Sequence, residues 1–203
     1  LHFNSNVPFT GADWRSRFEF RAIDILGADY ASTSKSDVAE AAVTVNAVND
    51  APVLAGGGDT VSYTEGDGLG LMGSAVALNA AGNLTVTDVE ITGQGEDDFN
   101  GAALTVRRSS GAVATDRFLV LEQDGISLSG SNVVIGGSTR AVITNNSSTG
   151  TLVLVFNAAA TAAHVQTLMR NTAYASVAND LYGSITASMS FNDGNAGEQG
   201  TGG

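Results

Sequence analysis

A chain of 203 residues that is 43% apolar can bury one large core or two smaller ones, which argues against wholesale disorder. Its 21 acidic residues against 9 basic ones leave a net charge of −12, and Lys35 is its single lysine, so a nucleic-acid partner is not expected. With no cysteine the chain has no disulfide, thiolate zinc site or cysteine nucleophile, and its apolar runs are far too short to insert in a membrane as a helix.

The first regular pattern is RFEFRAIDILGA, where Phe18, Phe20 and Ala22 alternate before Asp24. Alternation of period two marks a half-buried strand. A polar loop comes next, then a second alternating strand over 38–48 that runs into Asn49-Asp50-Ala51-Pro52. Side-chain oxygens, a rigid proline and a fresh apolar start read as a joint between modules. Residues 1–50 thus read as the C-terminal strands of a truncated module, and 51–203 as a larger module lacking its last strand. Starting at Leu1 with no signal segment, the chain reads as a piece of a longer tandem array.

Beyond the joint, short apolar runs separated by Gly, Asn and Ser predict strands over 60–63, 75–78, 84–86, 103–107, 118–121, 127–128, 132–135, 141–144, 151–156 and 184–191. One segment breaks the rule. TAAHVQTLMRNTAY sets Ala162, Val165, Leu168, Met169 and Thr172 on one helical face, with Thr161 as N-cap. The last strand repeats the first pattern: Ile185, Ala187, Met189 and Phe191 alternate before Asp193, as the earlier strand does before Asp24. The fold class these elements imply is an all-β sandwich carrying one short α-helix.

At these residues the chain resembles a family. AVTVNAVNDAPVL is similar to the linker of cadherin-like tandem repeats in large bacterial surface adhesins, and FTGADWRSRFEFRAIDILGA to the closing half of such a repeat. VSYTEGDG, LTVTDVE, GAALTV, GTLVLVFNAAATAAHVQTLMRNTAYAS and MSFNDGNAG resemble the longer chondroitin-sulfate-proteoglycan-type repeat. The resemblance implies an Ig/cadherin-like Greek-key sandwich and Ca2+ at the junctions between repeats. It carries Asn49 and Asp50 over as linker ligands, Asp88 and Glu90 as the acid-x-acid motif, Asp193 and Asp24 as the late aspartates, and Glu65 as the early glutamate. Ala47 and Ala51 stand where such linkers have further oxygen ligands. In a sandwich of this kind Asn49, Asp50, Asp88, Glu90 and Asp193 meet at the linker end, while Glu65 and Asp24 serve other joints. Calcium takes six to eight oxygens, and the carboxylates would repel one another without it.

Each of these residues also has a plainer reading. Asp50 suits a turn before Pro52, Asp193 in NDGN suits a type I′ turn, and Glu96–Asp98 suits a solvated loop. Gly56–Asp59 reads as a flexible turn, Arg107-Arg108 as a small basic spot, and Trp14, Phe9, Phe18 and Phe20 as core of the first module. His164 lies on or beside the apolar face of the helix, with His2 the only other histidine, and no nucleophile or phosphate motif accompanies it. The expectation is therefore a non-catalytic, extracellular or cell-surface adhesive spacer. Its partners are neighbouring repeats of the same chain, with calcium stiffening the joints. The alternatives are a filament subunit that exchanges strands between identical chains and a module that binds surface polysaccharide.

Overall fold

A computed structural model describes residues 15–20, 39–44, 49–66, 74–89, 91, 99–144, 149–179 and 183–194. The chain divides into two compact units, Leu1–Ala47 and Val48–Gly203. In the first, β1 (Arg15–Phe20) pairs antiparallel with β2 (Ala39–Thr44), from Arg15↔Thr44 to Phe20↔Ala39. Asp24 and Trp14 lie outside the described residues.

The second unit starts with β3 (Val53–Ala55), β4 (Val76–Ala77) and β5 (Thr85–Thr87). Five longer strands come after them: β6 (Ala103–Arg108), β7 (Asp116–Val120), β8 (Ile126–Ser129), β9 (Asn132–Ile135) and β10 (Ser138–Ile143). Last come β11 (Thr151–Phe156), α1 (Ala162–Arg170), β12 (Thr172–Ser176) and β13 (Ala187–Asn192). Hydrogen bonding orders one sheet β13-β6-β11-β10-β9-β8 and another β4-β12-β7, with β3 and β5 forming a small ladder of their own. Every pairing is antiparallel. The fold is an all-β sandwich, with one short helix among the described residues.

Strand parity explains the core. Leu104 and Val106 of β6, Leu152, Leu154 and Phe156 of β11, and Phe118 and Val120 of β7 are all inward and buried, with their neighbours more open. The two larger sheets share one apolar cluster, completed by Val165, Leu168 and Met169 of α1. Phe118 tilts against Tyr174 at 5.5 Å between ring centroids, and Phe191 packs on Phe99 and Phe156.

Helix α1 begins where the sequence indicates. Thr161 accepts the His164 amide on its side chain, and the His164 ring accepts the Thr161 amide at Nδ1 (3.1 Å), a reciprocal cap. His164 is thereby used in the turn that starts the helix rather than on its apolar face. Arg170, in the last turn, donates to the Leu84 carbonyl at 2.8 Å and ties the helix to the segment before β5.

Four expectations are corrected. Thr172 is not helical; it opens β12, because Asn171 caps the helix with its own amide turned back onto the last carbonyls. Residues 60–63 form no ladder among the described residues, although their burial alternates as a strand's does. The glycine-rich turn is pinned: Asp59 accepts from the Asn79 side chain (2.9 Å) and the Ala81 amide (2.8 Å). Arg108 is not a basic surface spot. It grips Asp116 through Nε (2.8 Å) and Nη2 (2.6 Å), and the Tyr174 hydroxyl donates to the same carboxylate at 2.9 Å.

That cluster is expected to make stability fall at alkaline pH. Burial, then the hydrogen bond to Asp116 and its negative charge, push the Tyr174 phenol up to about 12. A raised acid keeps its proton in the fold, so its contribution is whole below about pH 10 and is lost as pH rises toward 12. Wild type is expected to lose about 1–3 kcal/mol more than Tyr174→Phe between pH 9 and 12 in urea unfolding, since each tenfold change in acidity is worth about 1.4 kcal/mol. Equal losses in the two proteins would refute this.

Candidate functional site

Strand parity also delivers acids to the ends of the core. Into and along β5, Leu84, just before the strand, and Val86 are buried, and Asp88 continues in the same phase, only 5% exposed. Along β13 the inward set Ala187, Met189 and Phe191 continues into Asp193, only 4% exposed. Both aspartates stand just past a strand end, where the backbone turns.

The linker closes over this end. Val53, the first residue of β3, pairs with Thr87, the last of β5, so Asp88 emerges beside the incoming chain. Asn49, four residues before Val53, is itself buried and donates Nδ2 to Asp193 Oδ2 at 2.7 Å. The same Nδ2 donates to the Asp50 carbonyl at 3.2 Å. Asn49 Oδ1 is buried and accepts no hydrogen bond from any described residue. A buried amide oxygen without a donor costs about 1–3 kcal/mol, so folded proteins rarely keep one without a use.

Asp88 Oδ1 accepts the Ile91 amide at 2.9 Å, which shapes the turn, and its Oδ2 is also shut away from solvent. Asp193 precedes Gly194, whose φ is +79° and whose Cα lies so near residues 101–102 that an added Cβ would stand 2.5 Å from the Gly101 carbonyl carbon. Only glycine permits that approach, and it presses the Asp193 turn onto the start of β6.

The sequence-predicted residues thus divide. Asn49 and Asp193 are in direct contact, and Asp88 is buried at the same end of the unit. Asp50 is exposed, and its carbonyl accepts from the Asn49 amide. Glu90 and Asp24 lie outside the described residues. Glu65 is half-buried, two residues after Tyr63, whose hydroxyl donates to the Ser176 carbonyl at 3.0 Å. Ser176 pairs with Asp116, at the opposite end of the sandwich. The length of β6 separates the two ends, roughly 17 Å at about 3.4 Å per residue.

The donor chemistry fits a hard cation: two carboxylates, a carboxamide oxygen and backbone carbonyls, with no sulfur or imidazole. No group of three or more acids or histidines converges on a metal-sized space among the described residues. The described carboxylates and amide oxygen are fewer than the six to eight oxygens that calcium takes. The Arg108–Asp116–Tyr174 cluster at the other end carried no sequence motif. Its signal was parity, since Asp116 falls in phase with Phe118 and Val120, and Arg108 with Leu104 and Val106. No protein-family model matches the chain, and neither the curated proteins nor the solved structures yield a match.

Proposed function

We propose that the chain is a non-catalytic, cadherin-like repeat segment of a secreted or cell-surface protein. Its second unit takes a divalent cation, Ca2+ by donor chemistry, at the end where the linker joins. The observation that carries this reading is the buried Asn49–Asp193 contact, with an amide oxygen left without a donor beside the linker. An ion there would accept the lone pairs of Asn49 and balance the charge of Asp88 and Asp193. It would also bind the linker to the sandwich, which is what a stiff spacer requires.

Thermal unfolding in millimolar calcium and in chelator, at matched ionic strength, tests it. At a hundred times Kd a bound ligand adds about 2.7 kcal/mol, and for a unit of this size that raises Tm by about 5–10 °C. A rise below about 1 °C would remove the stabilising ion from the account.

A second reading, self-assembly by strand addition, is favoured by β13, which ends its sheet among the described residues. Its sequence ASMSFN carries no charge, proline or bulge to discourage a new neighbour. Light scattering across a concentration series addresses it, and a constant monomer mass would count against it.

A further inference from the structure

Asn49 is more than one ligand of the proposed ion, and its second role rests on that reading of the site. Both acceptors beside its amide, Asp193 Oδ2 at 2.7 Å and the Asp50 carbonyl at 3.2 Å, require the NH2 group on their side. Turning the carboxamide over would set oxygen against a carboxylate and a carbonyl together, which electrostatics forbids. The amide is therefore locked in one orientation, and the lock is what strands Oδ1 in a buried position with no donor.

We propose that the Asn49 carboxamide is a built-in substitute for the cation. With no ion bound, its NH2 group holds Asp193 and keeps the linker end folded. When an ion arrives and takes over Asp193, the hydrogen bond from Nδ2 is given up, and Oδ1, which has no donor, serves as a ligand. The ion must displace a hydrogen bond in order to bind, so Asn49 weakens affinity and sets the concentration at which the joint stiffens.

Two substitutions separate the roles. Asn49→Asp removes the competing donor and adds a charge, so Ca2+ is expected to bind at least tenfold more tightly by calorimetry. In chelator this variant should melt several degrees below wild type, since two buried carboxylates then face each other. Asn49→Ala removes donor and ligand alike, and should lower both the melting point in chelator and the calcium-induced rise.

Because Asn49→Asp can fail to fold without the ion, the wild-type carboxamide is also followed directly by NMR on the full 203-residue chain. Its NH2 protons should be protected from exchange in chelator, and both its 15N and 13Cγ shifts should move on adding CaCl2. If calorimetry shows calcium binding but the Asn49 signals stay in place, or Asn49→Asp binds no tighter, the substitution idea is wrong and the cation reading stands. If wild type and both variants ignore calcium, both are wrong.

Discussion

Replacing Arg108 with methionine is expected to destabilise the second unit by about 3–5 kcal/mol, read from the urea midpoint at constant slope. Methionine keeps the apolar stem and removes only the charged fork. Asp116 is fully buried and receives both of its short Arg108 bonds from that fork. Without it the carboxylate keeps the Tyr174 hydroxyl as its described side-chain donor, and a buried charge with one neutral donor is poorly compensated. The size of the loss therefore measures the stranded charge, not the worth of the pair. Arg108→Met combined with Asp116→Leu should accordingly cost less than Arg108→Met alone, because the double change strands nothing. A loss below about 1 kcal/mol for Arg108→Met would mean that the pair behaves like an exposed salt bridge.

Gly150→Ala is expected to cost about 3 kcal/mol or more, against about 1 kcal/mol for Gly130→Ala. The two glycines have nearly the same left-handed backbone, with φ of +70° and +63°. They differ in what stands nearby. A Cβ on Gly150 would lie 2.1 Å from the Val113 carbonyl oxygen, while nothing lies within 4 Å of one on Gly130. That carbonyl accepts the Asp116 amide at 2.9 Å, so moving it also disturbs the turn that aims Asp116 at Arg108. The pair of variants separates backbone conformation from crowding. Equal midpoints for the two would show that the 111–115 loop yields freely over Gly150.

Much of the fold was legible because the alternation of side chains is the imprint of a two-faced sheet. Strands 132–135 and 151–156 were bounded by their own patterns and emerged as β9 and β11. β12 was missed for an opposite reason. All five of its residues are buried, so TAYAS carries no alternation, and its first residue falls in phase with the preceding helix. Residues 60–63 mislead in the other direction: alternating burial on a surface needs no ladder.

At the candidate site, the resemblance placed Asn49 and Asp193 together although 144 positions separate them. It could not foresee that Asn49 meets Asp193 through nitrogen. Residue type gives a carboxamide two faces, and only the surroundings choose between them. The ion pair went unread because a charged residue in core phase has no motif. Its partner is found only once the sheets are stacked.

The contact between Asn49 and Asp193 has a mechanical corollary. A pull on the backbone at the start of the second unit is passed by one side chain to the end of β13. That strand is held by six paired positions, from Ala187↔Arg108 to Asn192↔Ala103. Tension along it strains those rungs together rather than peeling them singly. Where the load runs along β13, whatever tightens the Asn49 grip recruits the whole ladder against it.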